Sequence, residues 1–303
     1  MRCLFAYLTW LLLSAGCKSY RAQRDELPDN KDRGTIHISV DESFRPVIDE
    51  HVKVYMSQHP ATRIIVDYKP EAECLKDLMV DTVRMVIATR AASPEERDFI
   101  GDTLKKELRS MTVAYDAVAV IVHPGYRDSV FTMEELQQVL TGRHPDSLTP
   151  VFDGVTATST VRFIVDSVLH GTPLTTRAMA ARSSEGVVDY VAGHPGTMGF
   201  IGISWIGNPE DSAQMSFLQK VKMLYLESTD KPGSFVKGYQ ANIYRKRYPM
   251  VRDLVYILKE NYRGLGTAFA NFISGEIGQL IFRRSYLVPA KKNFGIRPAR
   301  LKE

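Results

Sequence analysis

Ile36, Ile38 and Val40 alternate with His37, Ser39 and Asp41, the period-two signature of a half-buried strand. The alternation stops at Asp41-Glu42-Ser43 and gives way to an amphipathic run over residues 44–56, with Ser43 placed to cap a helix there. A strand running straight into a helix start presents free backbone N–H groups and the positive end of a helix dipole, a corner suited to an anion. Residues 61–68 (ATRIIVDY) predict a second strand, 71–80 a short helix and 84–89 (RMVIAT) a third strand. Ser93-Pro94-Glu95-Glu96 then predicts a helix with Ser93 as cap and Pro94 in its first turn. Strands alternating with helices imply an α/β fold with a parallel sheet covered on both faces. The first and third strands would both end at hydroxyl residues and helix starts on the carboxyl edge, where the ligands of open sheets collect.

Residues 111–123 (MTVAYDAVAVIVH) form the longest β-like run, long enough to pass from one lobe into another. Thr132 and Glu135 make a capping box for a helix over 131–140. The segment VTATST precedes an apolar-periodic helix over 161–169, so Thr158, Ser159 and Thr160 put three hydroxyls at its start. On that segment alone, a well-capped helix accounts for them. Ser183-Ser184 caps a helix over 185–192, and 196–203 is a strand punctuated by glycine. Residues 221–226 and 248–258 read as strands, and 264–273 and 275–284 as two short helices whose apolar stripe is core packing. Gly264-x-Gly266 lacks the third glycine and the preceding strand of a dinucleotide site.

At 303 residues the chain is long for one core and comfortable for two. Its net charge of +4, with no basic aromatic motif, offers nothing that calls for a nucleic acid. Three cysteines without C-x-x-C spacing and seven scattered histidines offer neither a disulfide framework nor a metal or cofactor site. Residues 1–17 stand apart. Arg2 is a minimal positive start, 4–13 an apolar segment too short to cross a hydrocarbon core of about 30 Å, and Ser14-Ala15-Gly16 lead to Cys17. The simplest reading is a secretory signal cleaved nearby; the sharper one is a lipoprotein signal with Cys17 as the lipid attachment site, although Ser14 stands where that pattern has leucine. Residues 18–34 carry nine charges in seventeen positions and predict a flexible tether. Cys74 is then the one cysteine of the folded body, expected to be a small buried hydrophobe.

Together these segments resemble the phosphate-binding proteins of phosphate ABC transporters (PstS-like), which have the type II bilobed periplasmic-binding-protein fold. The resemblance covers about residues 34–290. It is carried by Ser43-Phe44 with Pro46, by Thr89-Arg90 before the Ser-Pro-Glu-Glu helix, and by Tyr115-Asp116-Ala117-Val118-Ala119-Val120. Phe131-Thr132-Met133-Glu134-Glu135-Leu136 with Thr141-Gly142, Gly196-Thr197-Met198-Gly199-Phe200-Ile201-Gly202, Tyr248-Pro249 and Leu287-Val288-Pro289-Ala290 extend it. The resemblance implies two lobes, each a mixed, mostly parallel sheet flanked by helices: 34–115 with 247–303, and 116–246 between them. It implies a monomeric, lipid-anchored protein of the periplasm or outer face that takes inorganic phosphate into a cleft between the lobes and serves an ABC permease. Ser43, Phe44, Thr158, Ser159 and Thr160 match the family's phosphate ligands, with Ser159 in place of a glycine. The family's arginine falls at Gly154, and Pro70-Glu71-Ala72-Glu73-Cys74 replaces a loop rich in glycine and serine.

A desolvated phosphate dianion needs many charge-assisted hydrogen bonds and a counter-charge. Arg90 could supply that charge as a bidentate fork; alternatively it pairs with Glu95 or Glu96 of its own helix. Asp41, Glu42, Glu71 and Glu73 are the candidate acceptors for the proton of hydrogenphosphate. Two other readings remain. A phosphate-ester hydrolase would need clustered metal ligands or an activated nucleophile, and neither these nor G-x-S-x-G is present, so no enzyme is expected. An anion-sensing or interaction module on the same fold would accommodate the missing arginine.

Overall fold

A computed structural model of the chain describes residues 27–154 and 158–291. Cys17, the signal segment and the first part of the tether lie outside the described residues. The opening strand β1 (Arg33–Asp41) pairs in parallel with β2 (Ala61–Lys69) on one side and β3 (Val83–Ala88) on the other. Helix α1 (Arg45–Gln58) follows β1 through a 3-10 turn at Glu42–Phe44, and α2 (Glu71–Lys76) follows β2. Ser93 and Glu96 close the expected capping box of α3 (Pro94–Leu104).

The long run becomes β4 (Arg109–Val122), and it joins the two halves of the molecule. As far as Ala117 it pairs antiparallel with β12 (Val251–Leu258), which also borders β3; from Val118 onward it pairs with β8 (Thr197–Gly202). The second half continues from β8 through β6 (Thr149–Phe152) to β7 (Met179–Ala180), both steps parallel. β9 (Lys222–Met223) and β13 (Val288–Pro289) add to β4, while β5 (Val130–Phe131), β10 (Tyr225–Glu227) and β11 (Phe235–Val236) form a small separate sheet. Helices α4 (Met133–Thr141), α5 (Ser159–Phe163), α6 (Ser184–Gly193), α7 (Ser212–Lys220) and α8 (Gln240–Tyr244) belong to the second half. α9 (Leu265–Ser274) and α10 (Glu276–Arg284) return to the first and pack on α1.

The apolar core divides the same way. One cluster gathers the end of β4 with β6, β8 and α4–α6; another gathers β1, α1 and α9. Cys74 lies on the buried face of α2 and is fully buried, as a small hydrophobe would be. The end of the expected tether is part of the fold. Asp29 is buried, accepts the Leu265 N–H at 2.7 Å and the Tyr262 hydroxyl at 2.7 Å, and pairs with Arg84. Charge density alone suggested disorder for this segment; these specific partners hold it instead.

Candidate ligand-binding site

Asp116 of β4 and Arg252 of β12 are cross-strand partners in register, so their side chains leave the sheet on one face where its two halves meet. Arg252 Nε donates to Asp116 Oδ2 at 2.8 Å, and both side chains are at most 2% exposed. The guanidinium also reaches the hydroxyls at the start of α5, donating to Ser159 Oγ at 3.0 Å and Thr160 Oγ1 at 3.3 Å. The Phe44 ring lies against it, 5.1 Å from Cζ to the ring centroid. Burial opposes its charge, but Asp116 and Asp41 outweigh burial and keep Arg252 protonated.

The corner after β1 closes over this cation from the other half. Ser43 Oγ lies 3.5 Å from Ser159 Oγ, although 116 residues separate them. Ser204 Oγ donates to the Ser43 carbonyl at 2.6 Å, and Ser184 Oγ to Glu42 Oε2 at 3.1 Å. Asp41 Oδ1 accepts the Ser43 N–H at 3.0 Å; its other oxygen has no hydrogen-bond partner among the described residues. Burial, only partly offset by Arg252, pushes the Asp41 carboxyl up to about 7. Asp153 responds alike, raised by burial and by the charge of Glu42 to about 6. A cleft of about 370 Å³ opens onto Asp41, Glu42, Asp153 and Thr158, with Arg45 and Lys69 at its rim.

The sequence pattern of the PBP superfamily domain matches residues 27–276. The chain belongs to that superfamily. No curated protein sequence matches it, but many solved structures share its fold. A Clostridium perfringens structure described as a phosphate ABC transporter substrate-binding protein with bound phosphate superposes with a TM-score of 0.69 at 20% identity, covering 85% of this chain and 100% of that one. An ABC-type phosphate transport receptor from Vibrio cholerae gives 0.63 at 16% identity, covering 84% and 100%. The CcmR regulatory domain of Synechocystis in complex with 2-PG gives 0.55 at 9% identity, covering 80% and 96%. The fold is the two-lobed type II arrangement expected from the resemblance.

In this PBP-superfamily frame the residues singled out from the sequence fall into two groups. Ser43, Phe44, Ser159 and Thr160 meet around Arg252, and Thr158 caps α5 beside them, its Oγ1 accepting the Val161 N–H at 3.3 Å. Arg90 is not among them: it makes a two-point ion pair with Glu96, at 2.7 and 2.8 Å, and is one-third exposed. Ser43 does not cap α1 either, because Asp41 takes the capping role for the turn before it. Glu71 is buried and bonded to Thr89 and Arg162. Arg252, Asp116 and Asp153 were not picked out as site residues. The first two did leave a signal, since each is a single ionised residue on the buried face of a run otherwise suited to the middle of a sheet.

Proposed function

We propose that this chain is an extracytoplasmic solute-binding protein that encloses an oxyanion, inorganic phosphate, between lobes formed by 34–115 with 247–303 and by 116–246, for uptake through an ABC permease. The observation that carries the reading is the buried guanidinium of Arg252 with the hydroxyls of Ser159 and Thr160 on it and that of Ser43 beside Ser159. A dry anion needs that combination of short donors and one fixed counter-charge. Arg252 then takes the part of the arginine missing at Gly154, and Thr158 and the Phe44 backbone border the same space. Asp41 suits hydrogenphosphate in either protonation state: ionised it accepts the ligand's proton, and protonated it donates one. The chain crosses between lobes along β4 and again before β12, which allows opening and closing as a hinge movement. Lipidation of Cys17 would hold the protein at a membrane surface; no described helix is long and apolar enough to cross one. No bond is made or broken in this role.

A sensing or interaction module on the same fold is the second reading. It is favoured by the ion pair through which Asp116 neutralises Arg252 within the protein itself, and regulatory domains do share this fold. Calorimetric titration with phosphate, sulfate and a phosphomonoester separates the readings. Phosphate is expected to bind in preference to sulfate. Turnover of the ester would point to a hydrolase, and silence toward every anion would favour the interaction module.

A further inference from the structure

The loop after β2 sends its first helical residue, Glu71 of α2, into the cleft between the halves, where it is 2% exposed. Its Oε1 accepts the Thr89 N–H at 2.8 Å and the Thr89 hydroxyl at 2.6 Å. Its Oε2 accepts Arg162 Nε at 2.6 Å from α5, across 91 residues of chain. Arg162 Nη2 in turn donates to Thr89 Oγ1 at 2.6 Å. A backbone N–H, a hydroxyl and a guanidinium converging from two elements are the donors an oxyanion asks for. All three are already used, and the acceptor is part of the chain itself. Burial alone would raise the Glu71 carboxyl, but Arg162 and Thr89 outweigh it and hold the group ionised. The arrangement borders an open cleft of about 860 Å³. Arg162 is one-third exposed there and also contacts Asp166, so it has a route to a ligand from solvent.

We propose that Thr89 and Arg162 form an oxyanion subsite that Glu71 fills as a tethered substitute ligand, so that an incoming phosphate must displace the Glu71 carboxylate to bind fully. The inference rests on the reading of the cleft as an anion site and adds its regulation. A chain-borne anion has a high effective concentration and competes with free anion for the same donors. It also ties α2 to α5, so the unliganded protein stays closed and the apparent association constant is the intrinsic one multiplied by the small fraction of molecules in which Glu71 is withdrawn.

Glu71→Gln keeps the shape and removes the charge. Titrated with inorganic phosphate beside the parent protein, it is expected to bind roughly tenfold tighter or better. Glu71→Ala, which removes the acceptor entirely, should gain at least as much and guards against a local packing effect of glutamine. Thermal melts establish that each variant is folded. Small-angle scattering should show the unliganded variants more extended than the parent, reflecting the lost link. Equal or weaker phosphate binding by both folded variants overturns the inference, and if the parent binds normally the anion-site reading still stands. Silence in the parent and in both variants overturns both. Binding by the variants alone upholds the subsite and means that the native chain keeps it blocked.

Discussion

At the scale of single residues, the two arginines that compete for the role of counter-charge differ in cause and not only in position. Arg90 lies where a guanidinium keeps water on one side and satisfies itself with Glu96; such a pair is worth about 0–1 kcal/mol. Arg252 has lost its water, faces Asp116 and holds two serine/threonine hydroxyls, so removing it strands a buried carboxylate. Replacing Arg252 by lysine keeps a positive charge but loses the planar fork, and phosphate affinity should fall by about a hundredfold, in line with about 2–5 kcal/mol for a truncated buried charge pair. Arg90→Ala should stay within about tenfold of the parent protein. Isothermal titration of both variants ranks them, and the opposite order would return the role to Arg90. Sequence reading found the hydroxyls because caps have a local signature, and it missed Arg252 because its partners come from 93 and 136 residues away. Spacing along a chain carries no information about a pair made by strand register.

At the scale of elements, hydrophobic period was a reliable guide wherever one face of an element meets a core. The β1 alternation, the capping boxes at Ser93 and Thr132, and the two C-terminal helices all form where the pattern put them. It was weaker where an element is short or mostly solvated. α7 carries only Gln214 and Phe217 as buried positions, too sparse a stripe to announce a helix. The run 221–226 is broken into β9 and β10, which join different sheets. Glycine shows the same limit, since one residue type serves two purposes near α6. A Cβ on Gly199 of β8 would stand 2.8 Å from Ile121 and Val187 and 2.9 Å from Val191, so this glycine sets how closely α6 approaches the sheet. At Gly193, the end of α6, nothing lies within 4 Å of the same added atom. Gly199→Ala should therefore cost about 1–3 kcal/mol through overpacking, whereas Gly193→Ala should be neutral or stabilise by up to about 1 kcal/mol. Urea denaturation of the two variants measures both, and an equal effect at the two positions would mean that α6 yields more easily than its packing suggests.

At the scale of the whole molecule, closing two lobes over a wet, charged face concentrates carboxyls in a dry place, and stability must answer to pH. Burial raises Asp41 to about 7 and Asp153 to about 6, from an ordinary value near 3.8 in each case, and it raises Asp116 and Glu42 as well. Between about pH 4 and pH 7 the folded chain therefore holds protons that the unfolded chain has released. Stability then falls as pH rises through that window, and the whole of the loss is present above about 7. His51 works against this trend. Buried between α1 and α10, it is held down to about 4, so the unfolded chain gains a proton there below about 6.5 that the folded chain does not. Glu71 and Glu96, lowered by their arginines, contribute stability that is lost only in acid, below their unfolded values near 4.5. Comparing the parent with Asp41→Asn cancels His51 and the other shared groups and leaves the Asp41 contribution alone. The amide keeps the bond from the Ser43 N–H and carries no charge to bury. Its melting temperature, relative to the parent, should climb steadily from about pH 4.5 to about pH 7.5 and level off beyond. A difference that stays constant across that range would mean that Asp41 ionises as freely inside the closed protein as in the unfolded chain, and that water reaches the corner after β1 even when the lobes are shut.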